Sequence, residues 1–216
     1  MLIVGAKGFA KEVLEVICQD TYTQPLFFYD DVNDDVGDLL FKRFLILKSE
    51  DEVRQCFKMY GKTFTIGVGN PVLRRKLYDK FTALGGIFTS TISPLSIIGK
   101  FDNRIGSGVN IMTQVVITSS VSVGDGVLLN LNVTIGHDSV IGDFVEICPN
   151  ANISGHCHIG SYSFIGTNAI ILPKICLGTN VIVGAGAVVT KDVPDNSMVV
   201  GAPATIIKQL PPLPFK

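Results

Sequence analysis

The chain has 216 residues, of which 47% are hydrophobic, so it can bury the core of one or two domains. Its 18 basic residues form no cluster and its formal net charge is −1, which argues against a nucleic-acid surface. No apolar run is as long as a membrane helix, and charges interrupt the apolar start, so neither a membrane span nor a signal peptide is predicted. The five cysteines lack metal-binding spacing and are predicted to be free thiols in a reducing cytoplasm.

Predicted strands and helices alternate over the first 88 residues, which indicates a parallel sheet with helices on its faces. Strands are predicted at 2–5, 26–29, 63–68 and 87–91, and helices at 10–18 and through 74–77. Ligands of such sheets bind at the carboxyl ends of the strands. The turn from Gly5 to Gly8 lies there and precedes a helix N-terminus, which favours phosphate, and Asp30-Asp31 ends the second strand. On the residues alone, ordinary turns explain both segments about as well.

The second half of the chain has a repeat of six residues. From Ile105 to Val189 every sixth residue is aliphatic, and the fourth residue after each is small or β-branched. Inward positions that are two and then four residues apart indicate a short strand followed by a corner. Gly follows the aliphatic residue in every third hexad from Ile105 to Leu177, so eighteen residues should form one triangular coil. The repeat predicts a β-solenoid of five coils over 105–194, with a looser start because one extra residue breaks the frame before Ile105.

All three histidines, His137, His156 and His158, lie within this repeat. His137 follows a corner glycine and should point outward, next to Asp138. A carboxylate that binds one imidazole nitrogen fixes the tautomer and raises the basicity of the other nitrogen. Coils of eighteen residues should stack His156 on Asp138 and Gly155 on His137. On position alone, an idle surface histidine at 137 and a base at 156 both stay open.

Several segments resemble one family: LIVGAKGFAKEV, FFYDD, FTIGVGNPVLRRKLYDKF, the hexads, and VIVGAGAVVTKDVPDNSMVVGAPA. They are similar to the hexapeptide-repeat acetyltransferases that modify nucleotide sugars and sialic acids in bacterial glycan synthesis. The resemblance covers nearly the whole chain. It implies a Rossmann-like, nucleotide-sugar-binding α/β domain in 1–88, a left-handed parallel β-helix in 89–194 and a capping tail in 195–216. It further implies a cytoplasmic homotrimer that uses acetyl-CoA, without a metal, to acetylate the amino group of a nucleotide-linked 4-amino-deoxy sugar.

The resemblance also assigns roles to single residues. It makes His137 the catalytic base, Asp138 its orienting acid, and the backbone N–H of Gly155 the donor to the thioester oxygen. The residues it assigns to acetyl-CoA are Glu146, Thr167 and Ala185, with Glu146 in place of a histidine of some relatives. The residues it assigns to the nucleotide portion of the substrate are Lys7, Gly8, Phe9, Asp30, Asp31 and Gly69, with Phe9 where the family often has histidine. Asn130, on the coil that carries His137, is a candidate contact for the acceptor sugar.

Two other functions remain open at this stage. The same scaffold could O-acetylate sialic acid or another sugar, and nucleotide dependence would separate the two reactions. A β-helix of this kind could also be non-catalytic or bind zinc. Zinc relatives need three histidine ligands around a subunit interface, and the histidines here do not form a convincing set. Outward apolar residues such as Leu128 and Phe164 predict flat faces that meet other subunits.

Overall fold

A parallel sheet flanked by helices forms the amino-terminal domain. The computed structural model describes residues 1–20 and 23–215. Within them the domain contains strands β1 (Leu2–Val4), β2 (Phe27–Tyr29), β3 (Leu39–Leu40), β4 (Phe44–Leu47), β5 (Thr63–Ile66) and β6 (Ile87–Phe88), and helices α1 (Gly8–Cys18), α2 (Glu50–Tyr60) and α3 (Pro71–Ala83). The strand order is β3-β4-β2-β1-β5-β6, and only the β3–β4 pair is antiparallel. One hydrophobic cluster packs on each side of this sheet.

Helix α2 and strands β3 and β4 are absent from the sequence-based prediction. The helix has a clear local signal, because Ser49 and Glu52 form a capping box in which each side chain accepts the other residue's backbone N–H. Its apolar side is narrow, with Val53, Cys56 and Phe57 buried, so hydrophobic periodicity alone does not reveal it.

The second domain is a triangular parallel β-helix. Its strands are β7 (Thr91–Ile92), β8 (Ile97–Ile98), β9 (Arg104–Ile105), β10 (Asn110–Ile111), β11 (Val116–Ile117), β12 (Ser122–Val123), β13 (Leu128–Leu129), β14 (Thr134–Ile135), β15 (Val140–Ile141), β16 (Glu146–Ile147), β17 (Asn152–Ile153), β18 (His158–Ile159), β19 (Phe164–Ile165), β20 (Ile170–Ile171), β21 (Cys176–Leu177), β22 (Ile182–Val183), β23 (Val188–Val189), β24 (Ser197–Gly201) and β25 (Ala204–Gln209). The first face contains β7, β10, β13, β16, β19 and β22, the second contains β8, β11, β14, β17, β20 and β23, and the third contains β9, β12, β15, β18 and β21. The hairpin β24–β25 extends the first face.

Three edges join these faces, and two of them matter for the site. We call the corner between the first and second faces the first edge; it includes residues 130–132, 166–168 and 184–186. The corner between the second and third faces is the second edge; it includes residues 136–138 and 154–156. Positions eighteen residues apart stack along each edge, as the register of the strands requires. The predicted frame break is confirmed, because Ile98 pairs with Ile117, nineteen residues on, whereas Ile105 pairs with Val123.

Both inward positions of the hexads are buried in one continuous core, as the repeat predicts. The backbone requirement at the corners differs from the prediction. Positive φ angles recur at every sixth residue from Gly108 to Gly186, two residues after the position where the prediction placed glycine. Gly142, one of the predicted corner glycines, is needed for close approach instead, since a methyl group there would lie 2.6 Å from Ser161 N of the next coil.

The first face packs against the amino-terminal domain. Leu128 is buried against Met112 and Val16 of α1, with Phe9 and Leu131 beside them. The prediction that Leu128 meets another subunit is therefore wrong, because a helix of the same chain covers it. Throughout residues 1–20 and 23–215, helices are too short or too polar to cross a membrane.

Candidate active site

The second edge carries an imidazole–carboxylate pair. His137 Nδ1 lies 2.7 Å from Asp138 Oδ2, and both side chains are about half exposed, at 58% and 46%. Asp138 has a φ of 58°, the left-handed value that recurs at this corner position of the hexads. The hydrogen bond from His137 holds the pKa of Asp138 below its usual value, so this carboxylate is ionised at neutral pH. An Nδ1–H that donates to Asp138 leaves Nε2 free to accept a proton.

His156 stacks over Asp138 on the next coil, as the eighteen-residue period predicts. Its Nε2 lies 3.6 Å from Asp138 Oδ2, which is too long for a hydrogen bond. Its ring stands at 86° to that of His137, with 5.0 Å between the centroids. Of the two imidazoles, His137 makes the hydrogen bond to the carboxylate, so the geometry favours His137 over His156 as the base.

Gly155 lies directly opposite the free nitrogen of His137. A methyl group added at Gly155 would lie 2.7 Å from His137 Nε2, closer than van der Waals contact, so the imidazole fits in this position only beside a glycine. The coils are fixed at this point by a hydrogen bond from His156 N to His137 O, 2.8 Å long. The free nitrogen of His137 and the backbone of position 155 are therefore close neighbours on adjacent coils.

Three other predicted residues lie along the first edge, away from this pair. Asn130 is at the end of β13, and its Oδ1 accepts the N–H of Leu131. Thr167 and Ala185 are exposed corner residues one coil apart. The second face separates this edge from the edge that carries His137, so a single chain does not bring the two groups together.

The carboxyl ends of β1, β2 and β5 border a pocket of about 260 Å³ lined by Gly5, Asp30, Asp31 and Val68, among others. Asp31 borders this pocket and accepts hydrogen bonds from Tyr29 (2.6 Å) and Lys80 (3.0 Å). Although partial burial opposes them, these bonds hold the pKa of Asp31 below its usual value. The buried carboxylate of Asp30 holds the turn instead, since it accepts the backbone N–H groups of Val32 and Asn33.

The predicted phosphate turn has an open helix N-terminus. Lys7 is the N-cap of α1, without a capping side chain, and it forms an exposed ion pair with Asp35 (2.9 Å). Gly8 has open space around it. Phe9 packs at the boundary between the domains. It contacts the hydrophobic cluster between α1 and the sheet, and also the cluster that contains Leu128. A substrate contact by Phe9 therefore has no support in the structure, because its ring is used for packing.

Glu146 has a position that the sequence does not predict. It is 8% exposed on the first face, where its Oε2 accepts the N–H of Asn70 at 2.6 Å. A methyl group at Gly69 would lie 2.7 Å from its Oε1. The expected contact of Glu146 with acetyl-CoA is thus corrected to a contact between domains. Gly69 likewise faces this carboxylate.

The sequence does not predict the buried position of Arg74 in α3 either. It is fully buried, and its guanidinium donates to the backbone carbonyls of Ile66, Val68 and Gly126 and to Asn110 Oδ1. Burial lowers the pKa of Arg74 to about 10, against the opposing effect of Glu146, so the group stays charged at neutral pH. Arginine is normally exposed, and nothing local in the sequence marks this residue as buried.

The second edge can support two kinds of chemistry. The pair His137–Asp138 can move a proton, and together with His156 it offers three ligand atoms within 4.8 Å of one another, close enough for a metal ion. His158, the third histidine, is exposed on the third face and pairs in register with Cys176. Cys157, which follows His156 in the sequence, is buried and donates to Leu172 O, and burial raises its pKa, so it is unsuited to attack a thioester.

Comparisons with known proteins bear on these possibilities. Residues 1–81 match the family model described as PglD N-terminal domain, and residues 156–191 match bacterial transferase hexapeptide (six repeats). No curated protein sequence matches significantly.

Solved structures match nearly the whole chain. WeeI from Acinetobacter baumannii AYE is 32% identical with a TM-score of 0.86, covering 95% of this chain and 98% of that one. The acetyltransferase domain of PglB from Neisseria gonorrhoeae FA1090, in complex with acetyl coenzyme A, is 29% identical with a TM-score of 0.85 and the same coverage. A mutant of perosamine N-acetyltransferase from Caulobacter crescentus, in complex with CoA and GDP-perosamine, is 25% identical with a TM-score of 0.87, covering 96% of each chain. The predicted fold class, a Rossmann-like domain followed by a left-handed parallel β-helix, is confirmed.

Proposed function

The chain belongs to the hexapeptide-repeat sugar acetyltransferases with a PglD-type N-terminal domain, and from this premise we propose how its residues perform the reaction. It is an acetyl-CoA-dependent N-acetyltransferase that acts on the amino group of a nucleotide-linked amino-deoxy sugar. The observation that carries the proposal is the orientation of His137: Asp138 binds its Nδ1, and its free Nε2 faces the glycine of the next coil.

In the proposed reaction, the sugar amine attacks the thioester carbon of acetyl-CoA directly. His137 Nε2 removes a proton from the attacking nitrogen, and Asp138 stabilises the imidazolium that forms. The N–H of Gly155 stabilises the tetrahedral oxyanion. Collapse of the adduct breaks the carbon–sulfur bond, and the departing CoA sulfur takes the proton from His137. The products are the N-acetyl sugar nucleotide and CoA, with no acetyl group left on the protein.

We assign the nucleotide to domain 1–88 and acetyl transfer to domain 89–194, with 195–216 as the capping tail. The pocket beside Asp31 lies at the strand ends where such sheets bind ligands, and the open N-terminus of α1 at Lys7 and Gly8 suits the diphosphate. Asn130 remains a proposed contact for the sugar, and Thr167 and Ala185 remain proposed contacts for the pantetheine arm.

We propose a homotrimer as the working form. The base lies on the second edge, whereas Asn130, Thr167 and Ala185 lie along the first edge. When three triangular prisms pack about a threefold axis, the second edge of one copy can face the first edge of its neighbour, and both halves of the site then meet in one cleft. The free cysteines fit a reducing compartment, and we place the enzyme in the cytoplasm.

A substrate panel tests this function. Purified enzyme and acetyl-CoA are combined with 4-amino-sugars linked to GDP, UDP or dTDP, with the free amino sugars, and with sialic acid; CoA thiol release and product mass are recorded. We expect turnover with a nucleotide-linked amino sugar and an acetyl group that resists hydroxylamine, as an amide does. Acetylation of sialic acid or a free sugar alone, giving a hydroxylamine-labile ester, would overturn the proposal.

A further inference from the structure

The carboxylate of Glu146 joins the β-helix to one short segment of the other domain. Glu146 opens β16, directly after the coil that carries His137, and its Oε2 accepts the N–H of Asn70 at 2.6 Å. Asn70 is the N-cap of α3, has a φ of 68°, and accepts the N–H of Leu73 with its own side chain. A backbone held in this region by a residue other than glycine needs support from its surroundings, and Glu146 supplies a hydrogen bond to it.

Burial disfavours the charge of Glu146, and neighbouring groups offset part of that cost. Its carboxylate lies at the N-terminus of α3, where the helix dipole favours a negative group. Arg74, one turn further along the same helix, is buried with its guanidinium bound to Asn110 and to three backbone carbonyls. The structure shows no direct ion pair between Glu146 and Arg74 among the described residues. Each nevertheless offsets part of the other's burial cost, because their opposite charges interact across the interface.

The segment that Glu146 holds forms a wall of the nucleotide pocket. Residues 67–70 follow β5 at the carboxyl edge of the sheet, and Val68 and Leu73 line the pocket beside Asp31. The segment is also confined from the other side, because a methyl group at Gly67 would lie 2.7 Å from the Cα of Ala10 in α1. Between α1 and Glu146, the pocket wall has little freedom to move.

We propose that Glu146 is a positioning residue for the sugar nucleotide. By fixing Gly69 and Asn70, it holds the wall of the pocket in its binding shape and ties the nucleotide site to the coils that carry His137. This role rests on the proposed function, and it replaces a direct contact of Glu146 with acetyl-CoA.

Steady-state kinetics of Glu146→Ala and Glu146→Gln test the role. Loss of the carboxylate leaves the Asn70 N–H without its buried acceptor, so we expect Glu146→Ala to raise the KM for the sugar nucleotide about tenfold. Glutamine keeps the shape and one acceptor oxygen, so Glu146→Gln should raise the KM for the sugar nucleotide much less than Glu146→Ala does. The KM for acetyl-CoA and kcat should stay within about twofold of the wild type in both variants, a pattern that loss of stability alone does not produce.

Asp195→Ala is the matched control. Asp195 Oδ1 also accepts a backbone N–H, that of Thr179 at 2.8 Å, but it lies near the far end of the β-helix. This variant loses the same kind of bond and should keep the wild-type KM for the sugar nucleotide. An unchanged KM in Glu146→Ala, or a KM for acetyl-CoA that rises as much as that for the sugar nucleotide, overturns the role.

Calorimetric titration with GDP, UDP and dTDP alone separates this proposal from the proposed function. We expect the nucleotide that the wild type binds to bind Glu146→Ala about tenfold more weakly. Equal affinities would overturn the positioning role and leave the function intact. A wild type that binds none of the three would overturn the nucleotide pocket itself and this role with it.

Discussion

At the second edge, a residue without a side chain decides how much room the imidazole has. A methyl group at Gly155 would overlap the His137 ring, because it would lie 2.7 Å from Nε2. The backbone at Gly155 does not require glycine, because its φ is not in the left-handed region. Close packing of the His137 imidazole on this backbone is therefore the reason for glycine at this position.

Gly155→Ala should consequently reduce kcat by about tenfold or more while leaving the fold intact. The added methyl group displaces the imidazole from the position where it can meet the amine, and small displacements of this kind are costly in catalysis. Steady-state turnover checks this, with Gly37→Ala as the control, because a methyl group at that exposed position contacts nothing. Wild-type turnover by Gly155→Ala would show that the reaction takes place elsewhere.

The parts of the site that the sequence predicts are those within the repeat. The six-residue period places His137 and Asp138 at a corner, and the coil length stacks Gly155 and His156 on them. Glu146 and Arg74 follow no such rule, because they are fixed by packing between domains that are distant in sequence. A resemblance therefore suggested a cofactor contact for Glu146, whereas its carboxylate binds Asn70.

Among the elements, α3 connects the two domains through its buried arginine. The guanidinium of Arg74 satisfies carbonyls at the end of β5 and at Gly126, and it orients Asn110, which in turn donates to Thr65 and Thr91. Sequence periodicity predicts that this helix exists, but it cannot predict that a charged residue forms its buried side. The polar network depends on the β-helix surface that α3 meets.

Removal of the arginine should be costly. Arg74→Met leaves several buried carbonyls and Asn110 without a donor, so we expect the free energy of unfolding to fall by about 3 kcal/mol or more. Urea unfolding measures this. Arg54→Met is the control: Arg54 is exposed on α2 with a long ion pair to Glu50 (3.8 Å), and its loss should cost less than about 1 kcal/mol. Equal costs for the two variants would contradict the network.

The pKa of Glu146 gives the same interface a pH dependence. Burial raises this pKa, against the opposing effects of Asn70 and Arg74. Because the pKa of this carboxyl group is higher in the folded state than in the unfolded state, the folded state binds the proton more tightly. The stabilisation from this proton is complete below the unfolded-state pKa of 4.5, and it is lost as the pH rises through the folded-state pKa. Urea titrations from about pH 4 to 8 should therefore show a smaller loss of stability with rising pH for Glu146→Gln than for the wild type. Parallel curves would contradict this assignment.

For the whole molecule, the two halves of the proposed site lie on different edges of the prism, so activity should depend on assembly. The second face between these edges exposes apolar side chains, including Ile97 and Ile170. The sequence predicts flat apolar faces but not which of them the chain itself covers. The structure shows that the amino-terminal domain occupies the first face at Leu128.

Ile170→Glu should therefore separate the subunits and abolish acetyl transfer together. A charge placed in an apolar contact between copies loses its hydration without gaining a partner. Light scattering after gel filtration and turnover are measured on the same sample, with Met59→Glu on the exposed side of α2 as the control. A trimer that survives Ile170→Glu, or an active monomer, would refute the proposed assembly.

The central claim is that His137 is the general base for acetyl transfer to a nucleotide-linked amine. The most direct measurement is the turnover of His137→Asn with the best sugar nucleotide of the wild type. The affinity of this variant for acetyl-CoA is measured as well. The turnover of His158→Asn, which removes an exposed histidine of the same domain, is the control. We predict that His137→Asn loses at least about 100-fold in kcat, keeps its affinity for acetyl-CoA, and that His158→Asn behaves as the wild type. Near-normal turnover by His137→Asn would contradict the account.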